Sequence, residues 1–364
     1  LQTLFHLKIF RKSIWEAHTS NNRIIRALQS IFYHLQTTSS SSSNNNNSPT
    51  STQVLLDSFG WSSSDAYVQH DVQELARMLI ERIEAALTRR KNTNTNHQHK
   101  NGETTTEKFN IISRLFKGQF ENYISCLHVQ YTSRRIEDFY DLQLTVTPSV
   151  LESLRHYVKP DYLTGENKYY ANDELKLQDA TRGQRFISFP PVLFIHLKRF
   201  EVVGATGAQR KVNARCEFLD EMDLGEFVVE ENRTGDLTLS GENGGEKKNG
   251  SGEKDFWKYT LQSVLIHSGS VNGGHYTCIS NVSNDCQQKR WFLFNDEHVR
   301  EIGASEVFEP NFGSGVSSKS AYMLVYVQKR HWEHVMFPVD QSMIRPQLIE
   351  RIERENSSSQ CAIL

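Results

Sequence analysis

An α+β fold with an antiparallel sheet follows from the order of two textures along the chain. Amphipathic helical spacing fills the first hundred residues, and short β-branched or aromatic runs take over from about Gly118 onward. Ile24, Ile25, Leu28, Ile31, Phe32 and Leu35 recur at helical spacing, as do Val72, Leu75, Met78, Leu79, Ile83, Ala86 and Leu87. The second of these helices opens at Asp71, whose carboxylate can cap free N–H groups, with Glu74 at the capping-box position. Strands are expected at 140–146, 186–189, 192–197, 259–267, 276–280, 291–294 and 321–327. Three segments carry too little apolar surface to pack a core and read as surface insertions: 37–52, 89–107 and 230–254.

The 364 residues suffice for about two domains or one large multi-lobed domain. With 41 basic against 43 acidic residues the chain has no basic excess, so no nucleic-acid partner is expected. A mean hydropathy of −0.55 and the lack of a long apolar run predict no membrane span. Cys126, Cys216, Cys278, Cys286 and Cys361 are scattered, without a C-x-x-C pair, which fits a reducing compartment, cytoplasm or nucleus. The chain starts at Leu1 in what reads as the inside of an apolar helix, so an N-terminally incomplete chain is expected.

The strongest local signal runs from Ile266 to Tyr276: a strand, a polar loop, Gly273 and Gly274, then a second strand led by His275. If 276–280 and 291–294 are equal arms of a hairpin with its tip near Asp285, His275 stands opposite Asn295. The Asn295 amide oxygen would then accept the imidazole N–H, fix the tautomer and leave the other ring nitrogen as a base, with Asp296 able to share that role. On spacing alone the same residues also fit two ordinary histidines, His267 and His275, and a turn at 295–297. Cys278 lies three residues along the strand and so faces the other side, and no other cysteine has the surroundings of a nucleophile. Cys126 with His128 is a lone pair rather than a metal set. Asp71 and Glu74 lie one helical turn apart, able either to grip a basic peptide or merely to cap their helix. The chain ends Cys361-Ala362-Ile363-Leu364, a short match to a prenylation box with no polybasic patch beside it.

The ordered motifs resemble the ubiquitin-specific proteases (peptidase family C19), most nearly those of the herpesvirus-associated type. The resemblance is carried by Leu1 to Phe5, Ser58 to Trp61, Gln69 to Leu75, Asp138 to Leu142, Pro190 to Leu193, His196 to Phe200, His267 to Gly269, Gly273 to Tyr276, Trp291 to Asp296 and Ala321 to Tyr326, and extends to Gln347 to Arg351. It implies a papain-like cysteine protease fold, with a helical thumb over 1–115, fingers and palm over 116–329, and a C-terminal helical extension over 330–364. It further implies that His275 is the catalytic base, Asn295 the third triad member and Asp296 a polar helper. Asp71 and Glu74 would hold arginines of the ubiquitin tail, and Phe200, His267 and Tyr276 would line the channel for its glycines.

Two departures follow from the same resemblance. The family's cysteine box would fall just upstream of Leu1, so the nucleophile is expected outside these residues and the 364 residues by themselves are expected to be inactive. Many members carry two C-x-x-C pairs in the fingers, whereas this chain has Cys126 alone at the first place and Asn172 to Leu175 at the second, so no zinc or other cofactor is expected. The leading expectation is a thiol-dependent deubiquitinase. The alternative, of another class, is a catalytically inactive ubiquitin-binding module.

Overall fold

Where the apolar spacing is helical, helices form. In a computed structural model, residues 1–17, 22–38, 50–60, 71–88, 110–204, 207–233 and 256–361 are described. The helices, in chain order, are α1 (Gln2–His6), α2 (Lys8–Glu16), α3 (Arg23–Thr38), α4 (Gln53–Ser58), α5 (Val72–Thr88), α6 (Ile111–Phe116), α7 (Val150–Val158), α8 (Glu230–Arg233), α9 (Trp332–Val335) and α10 (Pro346–Cys361). The strands are β1 (Gly118–Cys126), β2 (Thr132–Phe139), β3 (Asp141–Thr145), β4 (Asp161–Leu163), β5 (Tyr169–Tyr170), β6 (Leu177–Gln178), β7 (Ala180–Ser188), β8 (Val192–Lys198), β9 (Phe200–Val203), β10 (Ala208–Lys211), β11 (Glu221–Asp223), β12 (Lys258–Ser270), β13 (Gly273–Asn281), β14 (Trp291–Asn295), β15 (His298–Ile302) and β16 (Lys319–Gln328). They divide into two compact units, Leu1–Arg114 with Glu333–Leu364, and Leu115–Trp332.

The first unit is helical. Leu7, Phe10, Ile14 and Trp15 from α2 and its entry pack with Ile25, Leu28 and Phe32 of α3, all fully buried. The segment expected as a separate C-terminal extension joins this same unit. Leu348 and Ile352 of α10 are buried, and polar bonds tie α10 and its approach to the first helices. The Gln29 amide nitrogen donates to the carbonyls of Ile14 at 2.8 Å and Ala17 at 2.9 Å, while its oxygen accepts from Arg351 at 2.8 Å. Arg11, buried enough that its guanidinium is pushed down to about 10, donates to the Val339 carbonyl at 3.0 Å. Asp71 caps α5, accepting from the Gln73 N–H at 2.8 Å.

The second unit is built on an eight-stranded sheet in the order β15-β14-β13-β12-β16-β8-β3, with β11 beside β12. A four-stranded sheet, β2-β1-β7-β4, is the other large element. Pairing is antiparallel throughout except between β3 and β8, which run parallel because α7, β4 and the long β7 intervene between them. The central strands β8 and β16 are buried almost end to end, as a sheet covered on both faces requires. Phe186, Phe189, Leu193, Ile195, Tyr259, Val264, Leu324 and Tyr326 belong to one continuous core. The four-stranded sheet shares that core at its base through Phe120 and Phe186, and near its tip Cys126, Ala171 and Ala180 form a second apolar cluster with Ile124, Tyr131 and Leu175. Among the described residues no three His, Cys, Asp or Glu side chains gather there or elsewhere as a metal set, and no helix is long and apolar enough to cross a membrane.

Several expected boundaries move. The insertion expected from Thr37 begins later, since Thr37 and Thr38 complete α3 and the Thr37 hydroxyl donates to the Tyr33 carbonyl at 3.0 Å. The insertion expected from Glu230 opens with α8, pinned by the Val229 N–H on the Phe186 carbonyl at 2.9 Å and by the Asn232 amide on that of Ile187 at 3.1 Å. The expected insertion at 89–107 lies outside the described residues, as do Trp61, Gln69 and the last three residues of the chain.

Candidate active site

Strand β12 turns into β13 through Val271 and Asn272, and the backbones come very close there. A Cβ at Gly274 would sit 2.2 Å from His267 Nε2 and 2.6 Å from the Ser268 carbonyl oxygen. Gly269 has φ of +125°, a conformation only glycine adopts readily. Gly274→Ala is therefore expected to lower stability by about 1–3 kcal/mol, because backbone as well as the His267 ring must yield. Chemical denaturation reads this directly, and a midpoint equal to wild type would show that the close approach is not maintained in solution.

His275 is the residue across from Ser268, one step from that approach. Its partner is reached by a route that differs from the expected one. The β13–β14 register pairs Cys278 with Phe294 and Asn281 with Trp291. Carried one step further, Thr277 rather than His275 faces Asn295. Because side chains alternate with a period of two, this two-residue offset keeps His275 and Asn295 on one face as diagonal neighbours. His275 Nε2 lies 2.5 Å from Asn295 Oδ1 and 3.6 Å from Asp296 Oδ2. Asp296 occupies the turn between β14 and β15 at φ of +50°, a left-handed value that aspartate tolerates. Both oxygens gather at Nε2, so that nitrogen carries the proton as donor, and Nδ1 is the nitrogen with basic capacity.

His267 and Tyr276, the cross-strand pair next to Ser268 and His275, alternate to the opposite face, where an aromatic group gathers. The His267 ring, 2% exposed, meets Phe200 at 5.2 Å and Tyr276 at 4.8 Å between centroids. Tyr322 joins them, 5.5 Å from Phe200 and 5.7 Å from Tyr276. Tyr322 lies in one of the motifs named above but is not among the residues that the resemblance places in the channel. The other two expected site residues, Asp71 and Glu74, belong to the helical unit, where Asp71 is the α5 cap and Glu74 is exposed in its first turn.

Three of the described thiols are placed against the role of nucleophile. Cys126 and Cys216 are buried, and burial pushes the Cys216 thiol up, away from the thiolate that attacks. Cys278, half-buried, lies 3.4 Å from the Ser280 hydroxyl and alternates to the face opposite His275. Cys286 is in the loop between β13 and β14.

The model of one protein family, ubiquitin carboxyl-terminal hydrolase, matches residues 1–326. The chain belongs to this family. Its helices and mainly antiparallel sheets are those of the family's papain-like α+β cysteine protease fold. The chain is 34% identical over 381 residues to ubiquitin carboxyl-terminal hydrolase 15 of Saccharomyces cerevisiae, covering 98% of this chain and 28% of the yeast protein. It is 33% identical over 368 residues to ubiquitin carboxyl-terminal hydrolase 7 of Drosophila melanogaster, covering 98% and 28%. With ubiquitin C-terminal hydrolase 13 of Arabidopsis thaliana the identity is 35% over 384 residues, covering 99% and 31%. The chain thus spans less than a third of the length of these curated hydrolases.

Proposed function

We propose that this chain carries the base and its orienting groups of a thiol-dependent deubiquitinase that cleaves the isopeptide bond after the C-terminal glycine of ubiquitin. The observation that carries the reading is His275 Nε2 held by Asn295 Oδ1 at 2.5 Å, which leaves Nδ1 to act as base. The nucleophilic cysteine is assigned to the family's cysteine box, which the resemblance places upstream of Leu1. In the reaction, Nδ1 takes the thiol proton as sulfur attacks the glycine carbonyl carbon. The same proton passes to the lysine amine as the C–N bond breaks, and water then hydrolyses the thioester. Asn295 orients the ring without lending a full charge, and the Asp296 carboxylate at 3.6 Å supplies some of the missing field for the imidazolium.

Phe200, His267 and Tyr276 are assigned to the channel for the two glycines, and Asp71 and Glu74 to the arginines of the same tail. Residues 1–329 are read as the catalytic domain, in a protein of the herpesvirus-associated type that works in cytoplasm or nucleus. The test is to express the chain preceded by its upstream coding sequence and treat it with ubiquitin bearing a C-terminal electrophile. Covalent labelling at an upstream cysteine, with none on the 364-residue chain alone, is the expected result. Ubiquitin binding without labelling would instead make this a binding module, and absence of both would end the ubiquitin reading.

A further inference from the structure

Lys211 closes β10, where its backbone pairs with Phe200. Its ammonium Nζ donates to the carbonyls of His267 at 3.0 Å and Gly269 at 3.2 Å, and also to that of Ser318. Three acceptors need three N–H groups, which the protonated ammonium has and the neutral amine lacks. His267 and Gly269 flank Ser268, which pairs with His275 on one side and with Lys319, the first residue of β16, on the other. One side chain therefore ties two carbonyls of β12, on either side of the residue that backs His275, to that of Ser318 just before β16. Burial pushes this ammonium down to about 8, as expected of a cation drawn out of water into its contacts.

We propose that Lys211 is a positioning residue, holding the tip of the β12–β13 hairpin so that His275 stays aligned with Asn295. The consequence for catalysis rests on the deubiquitinase reading, while the clamp itself is a property of the fold and is testable without ubiquitin. The ammonium acts on backbone rather than on any reacting atom. Its effect reaches His275 through the Ser268–His275 pair and reaches the aromatic group through the His267 carbonyl.

Amide hydrogen exchange on the 364-residue chain separates this role from a general structural one. Lys211→Met is expected to speed exchange at 268–275 about tenfold, the loss of roughly one charge-assisted hydrogen bond, while β3 and β8 keep their protection. Lys211→Arg, which keeps the cation but presents a planar fork, is expected to fall between the two. Unchanged exchange at 268–275, or equal loosening of β3 and β8, would overturn the proposal. Should the methionine variant fail to fold, the arginine variant and Lys211→Gln are read in the same way. In the thiol-containing protein, Lys211→Met is expected to lower kcat about tenfold with little change in KM. Local loosening with kcat unchanged would also overturn the positioning role, whereas a wild-type protein that neither binds nor cleaves ubiquitin would remove the deubiquitinase reading and leave the exchange result standing.

Discussion

Replacing Arg199 with methionine is expected to remove about 3 kcal/mol or more of folding stability, a large share of what holds a domain together. Arg199 follows β8 directly, is 0% exposed, and spends its guanidinium on backbone. Nε donates to the Ala321 carbonyl at 2.6 Å, one terminal nitrogen to those of Val212 and Ala214 at 2.9 Å each, and the other to that of Phe312 at 3.1 Å. Burial lowers the guanidinium to about 10, so it stays charged at neutral pH. Methionine fills much of the space and satisfies none of the four carbonyls, although that of Phe312 keeps the Cys216 N–H as a donor at 2.9 Å. Each one left without a donor costs about 1–3 kcal/mol unless water enters. Urea denaturation monitored by tryptophan fluorescence measures the loss. A change below about 1 kcal/mol would show that water takes over the four acceptors, and Arg199→Lys, with three donors for four acceptors, is expected to lie between.

The second large effect is chemical. On the proposed reading, with the assigned upstream thiol present, His275→Ala is expected to lower turnover of a ubiquitin–lysine isopeptide by about a thousandfold or more while ubiquitin binding persists. On the proposed reading the imidazole moves the proton in both halves of the reaction, and 48% of its side chain is accessible. Asn295→Ala removes the 2.5 Å acceptor but leaves Asp296 within 3.6 Å, so a smaller loss is expected. Asn295→Asp keeps the geometry and adds a full negative charge beside the ring, which favours the imidazolium formed in the reaction, so turnover at or above that of the wild type is expected. Steady-state kinetics across pH distinguishes these outcomes. Retention of most activity by His275→Ala would remove His275 from the mechanism.

The parts of the fold that were legible in the sequence are those with one buried face or two. β8, β12 and β16 lie under both faces of the core, and their apolar runs stood out. β1 and β2 did not, because β2 reads Thr132-Ser133-Arg134-Arg135 and is exposed along most of its length, so neither periodicity nor hydropathy marks it. Their pairing comes instead from ladder bonds and cross-strand partners such as the Asn122–Gln184 amides at 2.8 Å.

The pairing of His275 with Asn295 was readable despite a register off by two, since an even slip leaves every side chain on its face. A slip of one would have hidden it. Lys211 and Arg199 were not readable in this way. Their acceptors are backbone carbonyls 56 to 107 residues away for Lys211 and up to 122 for Arg199, and a carbonyl carries no signature of residue type.

The apolar cluster near the tip of the four-stranded sheet gives that region its own response to temperature. Cys126, Ala171 and Ala180, with Ile124, Tyr131 and Leu175 around them, hold the tip by excluding water. Apolar burial is a force that fades on cooling, because its entropic drive weakens as water orders more readily around hydrocarbon. A tip fastened in this way loses part of its hold on cooling.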